Sequence, residues 1–219
     1  VARPAAALLL LTLAGCASVA DRAYYPPPDE HTRVLSHALH RAAEAAADDP
    51  TRYSFALLAS RDAAAYSSDD ATFYFTEGLA RQPRPVMDAL IAHEVAHEVL
   101  GHAGQRRALS LSLTAGFTVL GVVIPGASLL DFAVSPLIVR AFTRDQEVSA
   151  DLRAVEILRV MGYAMPKRTL AEALRAVASL HGPKRGGVLA SEPSLDQRLV
   201  VLEPLEPKPA VASTPAPAR

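Results

Sequence analysis

The chain has 219 residues, half of them hydrophobic, and its 22 basic and 23 acidic residues leave a formal net charge of −1. That length buries one core rather than two, and a near-neutral balance with no run of like charges excludes a polyanion-binding face, so nucleic acid is not an expected partner. Aromatic residues make up 5% with no tryptophan, and the Ala- and Leu-rich remainder favours helices over a sandwich or barrel.

Residues 1–15 carry Arg3, the apolar stretch Leu8 to Leu13 interrupted by Thr12, and the small pair Ala14-Gly15. That is the layout of a secretory signal, too short for a permanent span of the ~30 Å hydrocarbon layer. Cys16 is the single cysteine, so no intramolecular disulfide forms. Leu13-Ala14-Gly15-Cys16 resembles the lipobox of bacterial lipoproteins, which implies acylation of Cys16 and anchoring in the cell envelope. Ala17 after the cysteine implies sorting to the outer membrane, facing the periplasm. Residues 16–30, with Pro26-Pro27-Pro28, are then expected to be a stiff spacer that holds the domain off the bilayer.

A single domain is expected over residues 31–203. Residues 31–48 predict a first helix, with Val34, Leu35, Ala38 and Leu39 on one side; its histidines, His37 and His40, lack a carboxylate partner nearby and read as surface groups. Two β-rich runs, Tyr53 to Ala59 and Ala71 to Thr76, predict a small antiparallel β-sheet, so the expected class is mainly α with that sheet (α+β). From Pro85 to about Gly104 the apolar residues Val86, Leu90, Ile91, Val95 and Val99 recur at helical spacing. Residues 109–142 read as an apolar helical hairpin turning at Pro125-Gly126. It either crosses a bilayer or lies buried or at the membrane surface; arms of about 16 residues, where a span needs about 20, favour the second. Amphipathic helices follow over Thr143 to Met161 and Pro166 to His181, then a flexible link at Lys184 to Gly187 and a short helix at Ser194 to Leu202. Residues 204–219, rich in Pro and Ala, are expected to be a disordered tail.

The chemistry is concentrated in His93-Glu94-Val95-Ala96-His97. Residues four apart on a helix stand about 40° apart around the axis, so two imidazoles reach one ion. Neutral imidazole suits Zn²⁺, three protein ligands leave a fourth place for water, and Glu94 is placed to act as base rather than ligand. His102 falls one residue short of the third-histidine position of an extended motif. On a continuous helix it points about 180° from His93, so it is expected at the surface or behind a ligand. Glu147 is the better third ligand, because Glu147-Val148-Ser149-Ala150-Asp151 puts two carboxylates on one helical face. Glu147 then binds the ion while Asp151 accepts a hydrogen bond from a ligating histidine, which fixes the tautomer.

Four segments, Thr72 to Leu79, Ala89 to His102, Glu147 to Asp151 and Ser191 to Leu199, resemble the gluzincin metallopeptidases that include the CAAX prenyl proteases, HtpX and periplasmic lipoprotein relatives (peptidase family forty-eight). The resemblance implies a zincin-like fold and one zinc ion per chain. It also implies His93, His97 and Glu147 as ligands, Glu94 as base and Asp151 as the supporting carboxylate. The family's strand beside the cleft ends here as Phe75-Thr76-Glu77-Gly78-Leu79, and an extended substrate is expected to pair along Thr72 to Phe75. Three departures stand out: Ala64-Ala65-Tyr66-Ser67 where the family has Asn-Ala-Phe-Ala, Asp70-Ala71 where it has a glycine pair, and Glu192-Pro193 where it has His-Pro. Arg198 either stabilises a tetrahedral oxyanion or braces the helix that carries Glu147, with bracing favoured.

The expected activity is zinc-dependent endopeptidase hydrolysis of envelope polypeptides in protein quality control, with the membrane reached through the lipid anchor. The rival is a chaperone-like or assembly lipoprotein with a structural metal site. Glu94 argues against that rival, because a structural site needs no base.

Overall fold

A computed structural model describes residues 23–68, 71–105, 142–181 and 194–208. The expected signal and Cys16, nearly all of the hairpin at 109–142, the link at 184–187, Glu192 and the last eleven residues of the expected tail lie outside the described residues. No described helix is long and apolar enough to cross a membrane.

The chain enters as strand β1 (Ala23–Tyr24) and continues through α1 (Glu30–Ala45) and a 3₁₀ turn (Pro50–Arg52). It then forms β2 (Ser54–Leu58), β3 (Ala65–Ser67), β4 (Thr72–Thr76) and the short α2 (Glu77–Ala80). The long helix α3 spans Arg84–Val99, followed by α4 (Arg144–Val160), α5 (Pro166–His181) and α6 (Leu195–Leu202). The helices begin where side chains can take up free N–H groups. Asp29 accepts from Thr32 N at 2.8 Å to open α1, and Thr143 with Gln146, and Ser194 with Gln197, form capping boxes on α4 and α6.

The small sheet is mixed, not antiparallel. Its order is β1-β2-β4-β3; β2 and β4 run parallel in register Phe55↔Phe73, while β3 and β4 are antiparallel in register Tyr66↔Tyr74. The two β-rich runs seen in the sequence are adjacent strands, but β3 lies between them along the chain. It leads β4 back as a hairpin partner, so β4 ends up parallel to β2. β4 is therefore interior, and β1 and β3 are the outer strands among the described residues. This corrects the expectation that Thr72 to Phe75 pairs with substrate, because both flanks of that strand are already taken.

The segment expected to be a spacer is also docked near its end. Ala23 and Tyr24 pair with Leu58 and Leu57, and the Tyr24 hydroxyl donates to Glu77 Oε1 at 2.7 Å. Residues 204–208, expected to open a disordered tail, are docked instead. Leu205 packs on the core, and the Glu206 carboxylate accepts from the N–H groups of Lys167 and Arg168 at 3.0 and 2.9 Å. Those are free donors at the start of α5.

Phe73 and Phe75 of β4 are fully buried and stack with centroids 6.1 Å apart, facing Leu35, Leu39, Ile91, Ala92 and Val95 of α1 and α3. α3 packs against α1, α4, α5 and β3. It is consequently buried on almost all sides, where the sequence suggested a single apolar face. Its one buried acidic residue away from the histidines, Asp88, is held by Arg41 at 3.0 Å and by the Tyr163 hydroxyl at 2.7 Å. Gly78 sits so close to the loop between β2 and β3 that a Cβ there would lie 2.2 Å from Arg61 O; this contact pins the turn between β4 and α3.

Candidate metal centre

His93 and His97 project from one side of α3 with their Nε2 atoms 3.1 Å apart and their rings nearly perpendicular. Glu147 reaches them from the first turn of α4, its Oε2 3.4 Å from His93 Nε2 and its Oε1 3.5 Å from His97 Nε2. All three residues are buried, and they form a candidate metal site. Ligands held about 2.0–2.1 Å from a tetrahedral ion stand about 3.3 Å from one another, so the observed spacings fit a single such ion. The charges fit as well: the carboxylates of Glu147 and Asp151 lie against one guanidinium, that of Arg198, so with neutral imidazoles the cluster keeps a net negative charge for a cation to offset.

Behind the ligands, Asp151 Oδ1 is 3.0 Å from His93 Nδ1, which leaves Nε2 as the nitrogen facing Glu147. Arg198 from α6 grips Asp151 with both arms of its fork, Nε to Oδ2 at 2.8 Å and Nη2 to Oδ1 at 2.5 Å. Its Nη1 is 3.4 Å from Glu147 Oε2. This geometry is that of a brace across the carboxylates. Phe142, just before the cap of α4, stacks on the His97 ring at 3.7 Å.

The electrostatics follow from burial opposed by pairing. Burial and Arg198 pull the His93 pKa down, but hydrogen bonds to Asp151 and Glu147 outweigh them and raise it to about 9. Burial holds His97 down at about 4, leaving it neutral. Burial opposes ionisation of Glu147, yet the two histidines and Arg198 hold its carboxyl far below the usual range. Asp151 is lowered in the same way, chiefly by Arg198 and His93 against its burial.

Glu94 neighbours this cluster without joining its hydrogen bonds among the described residues. Its Oε2 is buried and takes no hydrogen bond among the described residues. Burial raises its pKa, while the His93 charge and contacts with Ser67 pull the other way. Ser67 belongs to the edge strand β3, so the carboxylate lies between α3 and that edge.

The structure thus brings together His93, His97, Glu147, Asp151 and Arg198. The sequence reading missed Ser67; of the two places expected for His102, at the surface or behind a ligand, the structure shows the second. His102 is buried, with Nδ1 3.0 Å from His97 Nδ1. The available signal was Gly101, whose φ of +70° ends α3 and turns the chain back.

Two ligating-type histidines on a central helix, a glutamate from a later helix and a small sheet alongside define the zincin-like metallopeptidases. The model of peptidase family M48 matches residues 28–206, and the chain belongs to that family of metallopeptidases, which are generally zinc-dependent. No curated protein matches the chain.

Proposed function

We propose that the chain is a zinc-dependent endopeptidase in which His93, His97 and Glu147 hold the ion and Glu94 is the general base. The observation that carries this reading is the convergence of three buried ligand atoms at tetrahedral spacing beside a carboxylate with an oxygen left unbonded. When bound, zinc supplies Lewis-acid polarisation of a carbonyl and lowers the pKa of water. Glu94, raised by burial, takes the proton of the attacking water and returns it to the departing amine. Substrate is proposed to align along β3, at Ala65–Ser67, the outer strand that lies beside Glu94. Main-chain pairing along an edge does not depend on a chain terminus, which favours internal cleavage. Arg198 acts through Asp151 and Glu147, holding both in place.

The test is Glu94→Gln beside His97→Ala and Glu147→Ala. The first is expected to keep stoichiometric zinc and lose about 10²- to 10⁴-fold in casein hydrolysis; the other two are expected to lose the metal. Full activity in zinc-loaded Glu94→Gln would remove the catalytic assignment and favour a structural or chaperone-like role.

The proposed location is the bacterial envelope, lipid-anchored through Cys16 at the periplasmic side of the outer membrane, with misassembled envelope proteins as substrates. The support is Leu13-Ala14-Gly15-Cys16 and the resemblance to envelope relatives. Labelled palmitate incorporated into the wild type and absent from Cys16→Ser is the expected result; equal labelling of both refutes the anchor.

A further inference from the structure

We propose that His102 is a positioning residue for His97, the last link in a hydrogen-bond chain that starts at a backbone carbonyl of α4 and dictates which nitrogen of His97 faces the metal site. The inference rests on the reading of His93, His97 and Glu147 as metal ligands. His97 Nδ1 and His102 Nδ1 are 3.0 Å apart, so one proton lies between two nitrogens, and the question is which ring owns it. The other end of the chain answers it. Ser149 Oγ is 3.4 Å from His102 Nε2, and the same hydroxyl donates to Asp145 O at 2.8 Å, with Gln146 O at 3.0 Å. A hydroxyl has one proton to give. With that proton directed to the helix backbone, Ser149 Oγ accepts from His102, and His102 carries its proton on Nε2. The neutral ring then presents Nδ1 as an acceptor. His97 donates from Nδ1, and its Nε2 lone pair is left pointing at Glu147 and His93.

Two features of the fold make this contact. On a continuous helix His102 would lie about 140° around the axis from His97. Gly101, at φ +70°, breaks the helix and brings the imidazole back. Ser149 lies on α4 between Glu147 and Asp151, so the helix that supplies the third ligand also supplies the anchor. The two ligating histidines are consequently oriented by different chemistry: His93 by the anionic Asp151 and His97 by a neutral imidazole. His97 is the less strongly polarised of the two, and its orientation depends on a partner with no charge to attract it.

The experiment compares wild type, His102→Ala and His102→Asn, whose amide oxygen falls near the position of Nδ1. Zinc affinity is read by competition with a chromogenic chelator, and geometry by the visible spectrum of the cobalt-substituted protein. His102→Ala is expected to weaken zinc by about 10- to 100-fold and to alter the cobalt spectrum; His102→Asn is expected to recover most of both. Equal affinity and an unchanged spectrum in His102→Ala overturn the proposal. Nitrogen-15 NMR of metal-free wild type provides a readout that needs neither variant nor metal. The His97 tautomer protonated on Nδ1 is expected, and one protonated on Nε2 overturns it. Wild type that binds no zinc defeats the metal reading, while the tautomer still decides the His97–His102 arrangement.

Discussion

Arg198→Met separates bracing from oxyanion stabilisation, and the structure sets the size of the effect. The side chain is 17% exposed and makes two charge-assisted hydrogen bonds to Asp151, which is wholly buried. Removing one partner of a buried pair costs about 3–5 kcal/mol, because the remaining charge is stranded. Here the stranded carboxylate keeps one donor, His93 Nδ1 at 3.0 Å, so the low end applies, about 3 kcal/mol. For a domain of this size that corresponds to a fall of roughly 6–12 °C in the melting temperature of the metal-free protein. The penalty also carries a pH signature. Arg198 depresses His93, so its loss lets the imidazolium form more readily and compensate Asp151. A histidine whose folded pKa lies above the unfolded value stabilises fully below about 6.5 and loses that contribution as pH rises through about 9. The cost of Arg198→Met therefore grows between pH 7 and pH 10, and urea titrations of the metal-free protein at the two values measure it. A loss below about 1 kcal/mol at both, with zinc affinity intact and kcat collapsed, would refute bracing and assign Arg198 to the oxyanion.

Gly78→Ala places a Cβ 2.2 Å from Arg61 O and 2.4 Å from Asp62 O; both are backbone atoms, so we expect a cost of roughly 3 kcal/mol in urea unfolding, and a loss under ~0.5 kcal/mol would contradict the close approach. Zinc uptake by the metal-free protein at pH 7.5 is expected to release about one proton, from His93 with its pKa near 9, and none from His97, neutral at a pKa of about 4. Binding therefore weakens as pH falls below about 9; calorimetry in buffers of different ionisation enthalpy reads the proton, and zero release at pH 7.5 refutes the assignment.

The candidate site was legible wherever one helix carried the pattern. His93 and His97 on α3, and Glu147 and Asp151 on α4, are pairs at i, i+4, and that periodicity survives any tertiary arrangement. Sheet topology was not legible, because β3 is three residues long, too short for alternation to register, yet it decides which strand is the edge. For His102 the sequence left two places open, and the turn at Gly101 decides between them by bringing the imidazole behind His97. At the C-terminal end the Pro-rich composition concealed Leu205 and Glu206, single residues whose anchoring depends on partners some forty positions earlier at Lys167 and Arg168. Local pattern therefore identified the chemistry, while chain reversals and lone anchors needed the fold.

The metal-site residues come from α3 and α4 and their brace from α6, and the apolar core explains why that dispersal is tolerable. The side chains that join α1, α3, α4, α5 and the sheet, among them Leu35, Phe73, Phe75, Ile91, Ile157 and Leu170, are buried independently of the polar cluster. Small zinc domains that lack such a core fold only with metal; here burial of hydrophobic surface carries folding. The buried carboxylates remain compensated in the absence of an ion, by Arg198 and by the proton on His93. On the proposed reading, exchange of that proton for a divalent cation is expected to leave the surrounding packing as it is. A site arranged in this way is preorganised: Glu94 and the edge strand stand in position before the ion binds.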